Sequence, residues 1–156
     1  LHFHGSIVYF ATVIDRFTRE VLAWQVGLHH TTQLILNVLE DAFGKRGRPH
    51  IFHSDQGSEY TSNACIQWVI DHNILPSHSP KAEPWKNGHQ ESFFSTFKLE
   101  FGKASRHDTL PLLIEAIGRY IHYYNTRRIH TSLKMPPRVF YEKEMERLKE
   151  YENTEL

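Results

Sequence analysis

Apolar and polar positions along this chain follow two periods, and the switches between them mark its elements. Residues 7–14, IVYFATVI, are an unbroken apolar, β-branched and aromatic run, the pattern of a buried strand. DRFTRE reads as a turn, and residues 21–26, VLAWQV, as a second strand, close enough behind the first to pair antiparallel. Leu1 to Phe3 read as the end of a strand whose start lies upstream. Residues 31–43 switch to the helical period: Leu34, Ile35, Val38, Leu39, Ala42 and Phe43 share a face, Thr31 or Thr32 can cap it, and GKRGRP ends it. A short strand at 50–54 (HIFHS), a helix at 62–73 and a last strand (ILPSHS) follow. Past a loop at 80–88, residues 89–101 form a helix with Phe93, Phe94, Phe97 and Phe101 on its apolar side. Residues 109–124 form another amphipathic helix, NTRRIHTSLKMPP a basic connection, and RVFYEKEMERLKEYEN a charged, partly exposed terminal helix. This order predicts an α/β fold, with a mixed sheet built from an antiparallel meander and crossover strands. Residues 1–106 form its core and 107–156 a helical extension of the same domain.

The length of 156 residues and an apolar content of 40% suit one domain with a real core. The single cysteine, Cys65, excludes an internal disulfide framework and a Cys-based zinc site, and reads as a small buried residue. No apolar run approaches a membrane span, and nothing resembles a signal peptide, so a reducing cytosol is the expected compartment. The first residue is Leu rather than Met, and we expect a fragment of a longer protein. The net charge of zero conceals a gradient. Residues 1–78 carry five basic and seven acidic side chains, residues 79–141 ten and five, and residues 142–156 three and six. A basic middle segment suits phosphate backbones through counterion release, and a solvated face explains so modest a bias almost as well.

Two acids stand out by their surroundings. Asp55, in HSDQGSEY, follows a strand, the edge where ligands bind in open α/β sheets, and Gly57 permits a tight turn behind it. Glu91, in NGHQESFFSTFK, lies near the start of a helix, in a stripe with Ser95 and Lys98 opposite the phenylalanines. Thirty-five residues lie between the two acids. Carboxylates from a strand end and a helix start can converge on Mg²⁺ or Mn²⁺, and paired metals support in-line displacement at phosphorus. Alone, Asp55 reads more readily as a turn or cap residue, and Glu91 as a partner of the helix dipole, than as a metal ligand.

Their local words resemble a family. HSDQGSEYTS, SPKAEPWKNGHQESFFSTFKLE and YYNTRRIHTSLKMPPRVF, in this order, with VIDRFTREVLAW before them, resemble the catalytic core of bacterial insertion-sequence transposases. These form the retroviral-integrase-like group of the DDE superfamily. The resemblance covers nearly the whole chain. It implies a ribonuclease-H-like fold with a mixed five-stranded sheet flanked by helices, its first strand incomplete here. It also implies DNA transposition by cleavage and strand transfer with two Mg²⁺ or Mn²⁺ ions. The expected partners are transposon-end and target DNA, with a homo-oligomer in the active complex. By resemblance Asp55 is the second metal-binding acid and Glu91 the third. The first is expected just upstream of Leu1, which would leave this fragment inactive alone. Asp15 matches the family's turn residue in VIDRFTRE and reads as a hairpin residue. The alternatives are a non-catalytic DNA-binding remnant of a decayed transposase and a nuclease of the same fold.

The remaining candidates are polar neighbours of these words. His53 and His89 flank the acids and are expected to support the ligands from behind. No His-Glu-x-x-His helix occurs among the twelve histidines, which argues against a histidine-based metal site. Lys81, Lys86 and Asn87 before Glu91, and Lys98 beyond it, are expected to contact DNA. Arg127, Arg128 and His130 in YNTRRIH, with Asn125, suit phosphate binding or a structural lock equally. Trp24 and Trp68 read as core, while Trp85 is expected to be exposed near the site.

Overall fold

The computed structural model describes residues 1–79 and 88–154. The chain opens with a small antiparallel hairpin, β1 (His2–Phe3) with β2 (Ser6–Ile7), turned through His4 and Gly5, both at positive φ. β3 (Tyr9–Ile14) and β4 (Val21–Gly27) form a longer antiparallel hairpin from Tyr9 opposite Gly27 to Ile14 opposite Val21, with a register shift between Val13 and Ile14. The run expected as one strand over 7–14 therefore breaks at Val8, which is fully buried. The turn is built by Asp15, whose Oδ1 accepts the Phe17 and Thr18 N–H groups and the Thr18 hydroxyl, in line with its reading as a hairpin residue.

Helix α1 (Thr32–Arg46) starts where the period changes, with the Thr31 hydroxyl accepting the Leu34 N–H at 3.3 Å, and ends at Gly47, φ 74°. β5 (Ile51–Ser54) and β6 (Leu75–His78) pair in parallel, in register from Ile51 opposite Leu75. They are joined through helix α2 (Asn63–Asp71), capped by Ser62. Helix α3 (Gly88–Phe101), a 3-10 turn at Ala104–Arg106, helix α4 (Leu110–Thr126), capped by Thr109, and helix α5 (Pro137–Thr154) complete the order.

The β3–β4 hairpin is the middle layer. Ala11 and Ala23 face one cluster, built on Leu34, Ile35, Val38, Leu39 and Val69 of α1 and α2. Phe10, Val21, Trp24 and Val26 face a second, built on Phe93, Phe97, Leu113, Ile117 and Tyr124 of α3 and α4. The phenylalanine stripe of α3 is thus core, with Phe10 5.0 Å from Phe97 between ring centroids. A carboxylate is deeply buried: Glu20 is 1% exposed and pairs with both Arg46, at the end of α1, and Arg138, 2.6 Å away in the first turn of α5. Arg46 also lies over the Tyr141 ring, at 3.5 Å. An ionised Glu at this depth needs such partners, and Arg138, with buried Pro137 and the Phe17–Phe140 ring contact, fastens the start of α5 to the body.

One expectation needs correction. Among the described residues, in place of a single five-stranded sheet there are three two-stranded ones, β1–β2, β3–β4 and β5–β6. The edge of β3 away from β4 and the edge of β5 away from β6 do not pair with each other. An open cleft runs between them.

Candidate functional site

The cleft has a volume of about 1210 Å³ and is lined along its length by β3 and β5. Apolar side chains of α1, among them Val38 and Leu39, close one side, and Phe94 of α3 contributes to the other. Asp15, Asp55 and Glu91 supply its carboxylates.

Asp55 and Glu91 both line this cleft and are both exposed. Asp55 directly follows β5, and its Oδ1 accepts the Gly57 N–H at 2.9 Å. A side chain at Gly57 would place its Cβ 3.1 Å from that same Oδ1 and 3.1 Å from Glu59 Oε2. The Asp–Gln–Gly sequence is therefore a turn in which the absent Cβ lets the carboxylate fold back. Tyr60 lines the same wall, and burial first, then the Asp55 charge, pushes its phenol up to about 12, which keeps it neutral.

Glu91 sits in the first turn of α3. Ser95 and Lys98 line the cleft with it, as their helical spacing requires. The turn is anchored by Gln90, whose side-chain amide donates to the Thr12 hydroxyl at 2.6 Å and the Thr12 carbonyl at 3.3 Å. Thr12 belongs to β3, so Gln90 ties the start of α3, and Glu91 with it, to the cleft edge. The sequence reading did not single out Gln90. A lone Gln beside Glu carries no local signal, because its partner lies 78 residues away.

The two flanking histidines differ. His53 lines the cleft and shares hydrogen bonds with the hydroxyls of Ser77, 3.0 Å, and Ser79, 2.9 Å. His89 also lines the cleft. Its pKa is lowered by burial, then by the positive charges of Arg19, Arg16 and His130. The YNTRRIH segment is divided. Asn125 is buried, accepting the Val21 N–H and donating to the Val21 carbonyl, both at 2.9 Å. Arg128 pairs with Glu100 at 2.8 Å, while Arg127 is exposed. The His130 backbone N–H donates to the Met135 carbonyl, and its imidazole is lowered in pKa by burial, then by Arg19 and Arg128. Lys81, Lys86 and Asn87, with Trp85, lie outside the described residues.

Two exposed carboxylates on one cleft fit a hard divalent cation completed by water. Among the described residues no group of three or more His, Cys, Asp or Glu side chains that could hold an ion occurs. No described helix is long and apolar enough to cross a membrane.

Comparison with known proteins follows the same lines. Residues 1–84 match the integrase core domain family, and residues 72–137 match a second family of the same description. The InsK protein of insertion sequence element IS150 from Escherichia coli (strain K12) is 34% identical over 134 residues, 84% of this chain and 47% of that protein. The transposase of insertion sequence element IS904 from Lactococcus lactis subsp. lactis (strain IL1403) is 33% identical over 130 residues, 81% of this chain and 51% of that protein. The chain thus spans about half the length of these two relatives. Among solved structures, the HTLV-2 integrase catalytic core in complex with magnesium, in its trimeric form, superposes with a TM-score of 0.64. That match covers 90% of this chain and 88% of the other at 15% identity, a likeness of fold. The chain belongs to the integrase core domain family, in the group of bacterial insertion-sequence transposases.

Proposed function

We propose that this chain is the catalytic core of a DNA transposase in which Asp55 and Glu91 hold a divalent cation and transposon-end DNA runs along the cleft. The observation that carries the reading is their placement: one acid at a strand end and one in a helix's first turn, both exposed on the same cleft. Bound there, Mg²⁺ or Mn²⁺ supplies Lewis-acid polarisation of the phosphoryl oxygen and activation of the attacking one. The side chains of this protein orient the reactants. The Gly57 N–H fixes the Asp55 carboxylate, Gln90 fixes the turn that carries Glu91, and Lys98 provides a positive charge for backbone phosphate. The magnesium complex of the HTLV-2 integrase core supports the metal reading by analogy. The use of a homo-oligomer is carried over from the family in the same way.

A bridged metal pair needs a further carboxylate, which we assign to an extended strand from outside residues 1–156, seated between β3 and β5. The facing unpaired edges support this, since strand edges hold unmet backbone donors and acceptors. Gln90 now occupies the Thr12 carbonyl, a group an inserted strand would take. Alternate side chains of that strand would face the α1 cluster and the α3 cluster, completing the five-stranded sheet.

The test is a strand-joining assay with pre-cut terminal duplex of the element and Mn²⁺. The chain extended to the length of its relatives joins ends; Asp55→Asn and Glu91→Gln in that protein abolish joining, and residues 1–156 alone join nothing. Joining by either variant at the unaltered rate overturns the metal assignment. Joining by residues 1–156 overturns the inserted strand.

A further inference from the structure

We infer that Arg16, Arg19 and His130, with His89 at the start of α3, form a phosphodiester-binding site that grips the DNA backbone beside Asp55 and Glu91. This rests on the reading of the cleft as a DNA site. It adds Arg16 and Arg19, which the sequence motifs do not single out, to His89 and His130, which they do.

Five of the ten arginines form ion pairs, while Arg16, Arg19, Arg48, Arg106 and Arg127 form none among the described residues, Arg48 and Arg106 donating instead to backbone carbonyls. Arg46 and Arg138 pair with Glu20, Arg128 with Glu100, Arg119 with Glu115 and Arg147 with Glu144. Arg16 and Arg19, in the β3–β4 turn, form no ion pair with any carboxylate among the described residues. The carboxylate next to them, Asp15, is engaged through Oδ1 by three donors of the turn itself. The arginine positions are nevertheless well defined. Arg19 stands at φ 63°, a left-handed conformation unusual for a side chain of this size, and its guanidinium donates to the Arg16 carbonyl. Arg16 is exposed and lines the cleft.

Two further chain segments bring imidazoles to this turn. Gln90 binds Thr12, four residues before Arg16, which holds the start of α3, and so His89, near the turn. His89 shares the cleft lining with Arg16. The segment after α4 brings His130. Its field and those of Arg16 and Arg19 reach His89, and the field of Arg19 reaches His130. The positive end of the α3 dipole adds to the same region. The charge of Arg16 acts against that of Arg19 more strongly than Asp15 acts for it, and an anion relieves that cost. Two guanidinium forks with imidazole donors suit phosphate oxygens. A site that shares Arg16 and His89 with the lining of the cleft suits a polyanion that continues past it, because a small anion gains nothing from the cleft.

The test is fluorescence anisotropy of a labelled DNA duplex, titrated at several salt concentrations in EDTA, so that metal binding plays no part. The double variant Arg16→Gln, Arg19→Gln is expected to bind about tenfold more weakly, with a log–log salt slope smaller by about two. Arg119→Gln, on the outer face of α4, changes neither. Arg16→Lys with Arg19→Lys retains most of the slope, because charge is kept. An unaltered slope in the glutamine double variant overturns the inference and leaves the proposed function standing. So does a loss as large in the lysine variant, which would place the effect in the turn's shape. No duplex binding by the unaltered chain overturns both. Saturation by inorganic phosphate at micromolar concentration, with no gain for duplex, would assign the site to the free anion and overturn the DNA reading.

Discussion

The side-chain amide of Asn125 makes two hydrogen bonds to the backbone of Val21, accepting its N–H and donating to its carbonyl, each at 2.9 Å. The residues are 104 apart in sequence, and both are buried. The contact joins the end of α4 to the start of β4, where Glu20 gathers Arg46 and Arg138. Asn125→Ala leaves both Val21 groups buried and unpaired, at a cost of about 3 kcal/mol. Urea unfolding of the variant should show that loss in its midpoint with an unchanged m-value. A shift below about 0.5 kcal/mol, the size of an ordinary surface change, would show that water replaces the amide.

Gly57→Ala separates orientation of the site from stability. The added Cβ lies 3.1 Å from Asp55 Oδ1 and 3.2 Å from Tyr60 Cδ2, so the carboxylate must swing away. Mn²⁺ affinity by calorimetry should fall about tenfold, the size typical for groups that orient a ligand. The melting temperature should stay near that of the unaltered chain. Full Mn²⁺ affinity would mean that the turn behind Asp55 does not set its direction.

The pKa of His130 is lowered by burial first and then by Arg19 and Arg128, and that of His89 moves the same way. The unfolded chain therefore takes up these protons more readily than the folded one. The contribution to stability is complete above the ordinary histidine value of about 6.5 and is lost as pH falls through the lowered folded value. Melting temperatures measured from pH 7.5 down to pH 5 should decline, and His130→Gln should flatten part of that decline. An equal slope in the variant would remove His130 from the account.

How much of this was legible in the sequence depended on range. Helices α1, α2 and α4 begin at Thr31, Ser62 and Thr109, caps that sit beside the residues they serve. The α3 phenylalanines announce a buried face through spacing alone. Strand pairing is a long-range property, and the five-stranded sheet expected by resemblance appears as three pairs around a cleft. Glu20 was read only as part of a turn, because its arginines lie 26 and 118 residues away. Asn125 was equally suited to phosphate and to a lock, and its contact with Val21 decides for the lock. Asp55 and Glu91 were legible because each sits in a distinctive word.

The most direct test of the central claim is Mn²⁺ titration of residues 1–156 by electron paramagnetic resonance, comparing the unaltered chain with Asp55→Asn, Glu91→Gln and Asp15→Asn. The account predicts weak binding of one ion, lost in both the Asp55 and Glu91 variants and kept in the Asp15 variant, whose carboxylate serves the turn. Binding that survives removal of both Asp55 and Glu91, or that disappears with Asp15 alone, would contradict it.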